Sequence, residues 1–229
     1  MAKPNIVLVH GAWGDGSHWR HVIPSLSARG YNVSAVQNPL TSLQDDIDRT
    51  MKLAEAQDGP TLLVGHSYGG AVITGAGHAP NVLGLVYVAA FAPDAGDSLG
   101  SLFARAPAPP GAASLRPDKY GFLWIAREKF HESFCADLPQ EEALVMNVAQ
   151  KPIAGRCFED KSGPPAWKSK PSWYQVSAND HMIPPQTEAW MAQRMQPRKT
   201  ITLESSHASL ASQGPAIVAL IEEAATGVT

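Results

Sequence analysis

Apolar residues arrive along this chain in short unbroken runs, separated by amphipathic stretches. The runs fall at 5–10, 31–36, 61–65, 82–90, 172–177 and 199–203, and β-branched residues are frequent in them. Continuous runs of this length fit strands buried on both faces, because a half-solvated strand alternates polar and apolar positions. The stretches between them carry helical spacing. In "SLQDDIDRTMKLAEAQDG", Leu43, Ile47, Met51 and Ala54 share one face, carboxylates crowd the first turn and Gly59 closes the segment. "PPQTEAWMAQRMQP" is bounded by proline at both ends. "GPAIVALIEEAATG" puts Ile217, Leu220, Ile221 and Ala224 on one side, with Pro215 in the first turn. Strand and helix in alternation predict an α/β fold: a mostly parallel six-stranded sheet with helices on both faces.

The alternation stops once. Between about 92 and 171 no strong strand pattern is present. "RAPAPPGAASLRP" is a proline- and alanine-rich loop, while "FLWIAREKFHESF" and "PQEEALVMNVAQ" read as helices. The expectation is a single domain, 1–229, with a helical lid inserted at about 92–171 after the fourth strand.

Composition narrows the chemistry. The 229 residues are 44% hydrophobic and 17% charged, enough to bury a sizeable core. A formal charge of -3 with no basic tract argues against a nucleic-acid partner. No apolar run reaches the roughly 18 residues of a membrane span, and "NIVLVHGAW" is too short for a signal peptide. A cytoplasmic location without membrane attachment is expected. Cys135 and Cys157 then read as two ordinary thiols rather than a disulfide framework. Oligomeric state, a homodimer included, cannot be read from the chain.

One stretch changes character in its middle. "TLLVGHSYGGAV" opens as a buried strand and closes as a tightly packed helix, with Ser67 between Gly65 and Gly69. Such a turn lifts a hydroxyl above the carboxyl edge of the sheet and aims a helix N-terminus at the same spot. The bland reading is a flexible glycine turn; the flanking strand and helix favour a nucleophile elbow. A serine nucleophile needs a base, and the base needs an orienting acid. His18 and His21 lie on a short helical stretch without a third ligand for a metal, and His78, His131 and His181 lie in loops or helix ends. His207 differs, since "SSHASL" follows the last strand at the edge that carries Ser67. Asp180 in "NDHMIPP" follows the fifth strand, and Asp94 in "APDAGDS" follows the fourth. Both fit as the acid, and the order Ser, Asp, His along strand ends favours Asp180. The loop "VHGAW" after the first strand supplies an N–H for a developing oxyanion: Ala12, with Trp13 as the fallback, beside Tyr68.

"VLVHGAW", "GHSYGG", "NDHMIPP" and "SSHASLAS" together resemble a small α/β-hydrolase, over about residues 5–225. Within that superfamily the chain is most similar to the branch of plant methyl esterases and hydroxynitrile lyases. The resemblance implies a serine esterase core, no cofactor, and Asp180 rather than Asp94 as the acid. The lyases of that branch carry threonine where this chain has Gly11, and lysine where it has Ala208. Both differences point to hydrolysis of a small, largely apolar ester, lactone or thioester. A carbon–carbon lyase, a cofactor-free perhydrolase and a non-catalytic ligand-binding protein are the rivals on the same fold. Trp13, Phe91, Phe103, Trp124, Phe130 and Phe134 are the expected lining of an apolar substrate pocket, each equally compatible with lid core.

Overall fold

The computed structural model describes residues 3–228. In chain order its strands are β1 (Asn5–Val9), β2 (Val33–Ala35), β3 (Thr61–His66), β4 (Val82–Val88), β5 (Leu115–Pro117), β6 (Phe122–Ile125), β7 (Ile153–Ala154), β8 (Ser172–Ser177) and β9 (Lys199–Leu203). Its α-helices are α1 (Ile23–Ala28), α2 (Leu43–Glu55), α3 (Tyr68–Ala76), α4 (Leu99–Phe103), α5 (Phe130–Phe134), α6 (Gln140–Val148), α7 (Arg156–Glu159), α8 (Pro185–Met195), α9 (Ser209–Ser212) and α10 (Gly214–Gly227).

The six strands expected from the apolar runs form one sheet, in the order β2-β1-β3-β4-β8-β9, and every pairing is parallel. The chain leaves β1 toward β2 on one side and returns to β3 on the other. That reversal opens a crevice at the carboxyl ends of β1 and β3, where open α/β sheets take ligands. Side chains of β1 divide between two cores. Ile6 and Leu8 pack with Trp19, Leu26, Ile217 and Ile221, under α1 and α10. Val7 and Val9 pack on the other face with Leu43, Val72 and Met191, from α2, α3 and α8. Both faces are covered, so the strands read as continuous apolar runs rather than alternating ones. The two edge strands are the exceptions: β2 is half-buried and only three residues long, inside the expected 31–36, and β9 is largely exposed.

The insertion between β4 and β8 departs from the expected all-helical lid. It contains a small antiparallel sheet, β5-β6-β7, alongside α4 to α7. Phe122–Ile125, read from sequence as the start of a helix, is the middle strand of that sheet. A tight turn causes the switch. Gly121 has φ +83, and the Asp118 carboxylate accepts N–H groups from Tyr120 and Phe122, which reverses the chain ahead of β6. Strands of two to four residues are too short to display a period of two. Cys135 and Cys157 are both buried free thiols, and burial pushes each up to about 12. No helix among the described residues is long and apolar enough to cross a membrane.

Candidate active site

The turn from β3 into α3 is made by two glycines, Gly65 and Gly69, flanking a strained serine. A Cβ on Gly65 would lie 2.5 Å from Gly69 O, and one on Gly69 would lie 2.5 Å from Val9 O. Only glycine lets β1, β3 and α3 close up in this way. Ser67, between β3 and α3, has φ 55 and ψ -125. A non-glycine residue held at positive φ costs roughly 1–3 kcal/mol, and such strain clusters at functional sites. The turn places Ser67 Oγ at the mouth of the crevice.

Two loops from further along the sheet reach the same point. His207, in the loop after β9, brings Nε2 to 2.8 Å from Ser67 Oγ. Its Nδ1 lies 2.5 Å from Asp180 Oδ2, in the loop after β8. The N–H groups of Met182 and Ile183 donate to Asp180 Oδ1 at 2.6 and 2.9 Å, which fixes the carboxylate plane. Ser67, His207 and Asp180 are all buried. Asp94, the rival acid, is elsewhere: it pairs with Lys168 at 2.6 Å and accepts from Ala95 N–H.

The loop that carries His207 is held from three sides. His66 Nε2 donates to the His207 carbonyl at 2.8 Å. Ser177 Oγ and Ser205 Oγ are bonded at 3.0 Å. Ser206 donates its N–H at 3.0 Å and its hydroxyl to the carboxylate of Asp137, which belongs to the insertion.

The β1 loop is shaped by a histidine that sequence reasoning passed over. His10 Nε2 accepts Asn38 N–H at 3.0 Å, so its proton is on Nδ1 and donates to Gly11 O at 2.8 Å. Burial pulls His10 down to about 4, which keeps that tautomer neutral. Ala12 and Trp13 follow, and both line the crevice together with Ser67 and Tyr68. Tyr68 N–H is at the first position of α3, where a helix leaves its N–H groups without intrahelical partners. The phenol of Tyr68 turns away and donates to Asp46 Oδ2 at 2.5 Å. Asp46 is buried, and desolvation lifts its carboxyl to about 6.

Above Ser67 lies a cavity of about 450 Å³. Its base is Ala12, Trp13, Ser67 and Tyr68; the insertion roofs it with Phe103, Ala112, Leu123 and Phe158. Among the described residues no charged side chain lines it, and Ser67 supplies its hydroxyl, the Tyr68 phenol being turned to Asp46. Trp13, Phe91 and Phe103 from the expected lining are in its wall. Trp124, Phe130 and Phe134 are not, which corrects that expectation. Phe130 and Phe134 stack on each other at 5.2 Å inside the core, and Phe134 packs edge-on to His207 at 5.0 Å. Trp124 faces outward and donates Nε1–H to Asp118. Phe158, Leu115, Met182 and Ile183 line the cavity without having been anticipated.

The model of the alpha/beta hydrolase family matches residues 6–220. The chain belongs to that family. A carbendazim-hydrolyzing esterase from Nocardioides sp. (strain SG-4G) is 37% identical over 167 residues, covering 67% of each chain. Methylesterase 8 from Arabidopsis thaliana is 25% identical over 235 residues, covering 90% of this chain and 83% of its own. Among solved structures, a pyrethroid hydrolase from Sphingobium faniae JZ-2 superimposes with a TM-score of 0.84 at 22% identity, over 97% of both chains. A methylesterase from Arabidopsis superimposes with a TM-score of 0.82 at 19% identity, covering 97% of this chain and 99% of its own. Similarity to the plant methylesterases is thus found in both sequence and fold, and the relatives named here are esterases and hydrolases.

Proposed function

We propose that this protein hydrolyses uncharged, apolar carboxylic esters through an acyl-enzyme on Ser67. The observation that carries the reading is the 2.8 Å contact between Ser67 Oγ and His207 Nε2 at the floor of an uncharged cavity. His207 Nε2 takes the Ser67 proton as Oγ attacks the ester carbonyl. The oxyanion that forms is bound by the N–H groups of Ala12 and Tyr68. Asp180 holds the imidazole tautomer and stabilises its charged form. The tetrahedral species collapses and expels the alcohol, which takes the proton back from His207. Water then attacks the acyl-serine with His207 again as base, releasing the acid and freeing Ser67.

The cavity selects by polarity. It offers no cation for a carboxylate and no acid for an amine, so a charged substrate would lose its hydration without recompense. Space of about 450 Å³ suits an aromatic or medium-chain group on the acyl or alcohol side.

Hydrolysis is favoured over carbon–carbon cleavage by the space at position 11. A Cβ on Gly11 would fall 2.6 Å from Ser67 Cβ and 3.1 Å from Ser67 Oγ, so a threonine does not fit. Ala208 is buried, and a lysine there would enter the core. A panel of nitrophenyl esters of rising acyl length, run on the wild type and on Ser67→Ala, tests the proposal. Ser67→Ala should lose on the order of a million-fold in kcat while keeping the wild-type fold. Retention of more than about a hundredth of wild-type kcat would remove Ser67 from the role. Binding without turnover by the wild type would favour a ligand-binding protein.

A further inference from the structure

Glu188 is a buried carboxyl that ester hydrolysis does not use. It lies on α8 and is wholly enclosed. Its Oε2 accepts Ser177 N–H at 2.9 Å. Its Oε1 is equally buried, and no donor among the described residues reaches it. Ser177 also begins the turn that carries Asp180, closed by Asp180 N–H donating to Ser177 O at 3.3 Å, and the carboxyl of Asp180 is the charged neighbour that acts on Glu188.

Two neighbouring carboxyls buried together do not both ionise; they share one proton. The donors around them decide where it resides. Asp180 collects three: Met182 N–H, Ile183 N–H and His207 Nδ1. Glu188 collects one, from Ser177. Each donor favours the charged form, so the charge belongs on Asp180 and the proton on Glu188. An oxygen that no donor reaches is also what a protonated Oε1 looks like, because that oxygen is itself the donor. Burial and the charge of Asp180 hold the Glu188 carboxyl well above the usual carboxylate range. Tyr174 on β8 is the other titratable group facing Glu188. Its phenol donates to Ala90 O and stays protonated far above its ordinary range, chiefly through burial, so it does not compete for this proton. Arg194, further along α8, turns to Asp97 instead.

We infer that Glu188 is a neutral carboxylic acid whose O–H donates to the Asp180 carboxylate, a positioning residue standing behind Asp180 and His207. The inference rests on the assignment of Asp180 and His207 above. The added donor spreads the Asp180 charge and loosens its grip on the imidazolium, so that His207 can return its proton to the leaving alcohol.

Infrared difference spectra of wild type against Glu188→Gln give a readout independent of turnover. A protonated-carboxyl band at neutral pH that Glu188→Gln removes is the expected result. Loss of a carboxylate band instead would overturn the inference, whether or not the protein proves to be an esterase. Kinetics supply the second arm, with kcat/KM followed against pH. Glu188→Leu, which cannot donate, should lose roughly ten- to hundred-fold in kcat, as for a hydrogen bond to a charged group. Its pH midpoint should move up, because Asp180 then grips the imidazolium harder. Glu188→Gln supplies an N–H donor and should restore most of that loss with the midpoint near wild type. A midpoint that moves down in both variants would mean that Glu188 is ionised, and the inference fails.

Discussion

His66 Nε2 lies 2.8 Å from the carbonyl oxygen of His207, and the two imidazole rings are 4.8 Å apart. A carbonyl can only accept, so the proton of His66 is on Nε2 and its buried Nδ1 is bare. The variable position of the elbow is therefore tied to the backbone of His207. Removing that donor while keeping the ring volume, as in His66→Phe, should lower kcat by about two- to ten-fold, the worth of one neutral hydrogen bond. KM should change little, while the melting temperature should fall by a few degrees, because the buried His207 carbonyl loses its donor. Steady-state kinetics and a melting curve on the purified variant check both halves.

The two aspartates expected from sequence are separated by the structure, and kinetics should separate them as well. Asp180→Asn should cost roughly ten-thousand-fold in kcat by favouring the wrong tautomer of His207. Asp94→Asn breaks only a half-exposed pair with Lys168 and should leave kcat within about two-fold. The reverse order would move the orienting acid to Asp94.

Acid stability follows from buried groups of opposite sign. His10 and His18 are pulled from 6.5 down to about 4 and about 3 by burial, and His66 is lowered well below its ordinary value for the same reason. The unfolded chain takes these three protons as pH falls through 6.5, while the folded chain refuses them. Their stabilisation is full above about pH 6.5 and is lost on acidification toward pH 4. Asp46 and Glu188 oppose this, because both carboxyls are raised in the fold and hold protons that the unfolded chain gives up. Three protons against two leaves a net of one, or about 1.4 kcal/mol of stability lost per pH unit between roughly pH 6 and 4. Urea unfolding across that range should show this slope. His18→Gln should flatten it toward zero, and Glu188→Gln should about double it.

The insertion's contribution to the cavity can be titrated with substrates. Ala112 is half-buried and lines the roof. Ala112→Phe should lower kcat/KM at least about ten-fold for the longest acyl esters, as filling a hydrophobic pocket by a methylene or more does. The acetyl ester should change by less than about two-fold. Equal losses for both esters would place the acyl group outside this cavity.

The strand ends were the legible part of the sequence. Ser67, Asp180 and His207 each follow a strand, and a parallel sheet brings its carboxyl ends to one edge whatever the helices between them do. The insertion was not legible, because β5, β6 and β7 owe their pairing to the Asp118 turn and to one another rather than to a repeating pattern. Phe130 and Phe134 were misplaced for a related reason: an aromatic residue shows that something is buried, not against what. Phe134 packs edge-on to His207, and Phe130 stacks on Phe134, so neither lies over Ser67. Glu188 left a trace that went unread. It shares a helix face with Met191, Ala192 and Met195, all buried, and a carboxyl on an apolar face needs a partner that only the tertiary fold supplies.

Asp137 holds the N–H and hydroxyl of Ser206, the residue just before His207. For anyone building chimeras, residues 92–171 are therefore not an interchangeable specificity cassette. Grafting the corresponding segment of a relative would replace the cavity roof and remove a brace of the His207 loop at the same time. A graft meant to retune selectivity must carry a carboxylate at the position of Asp137, or its donor protein's loss of rate will be mistaken for a poor substrate fit.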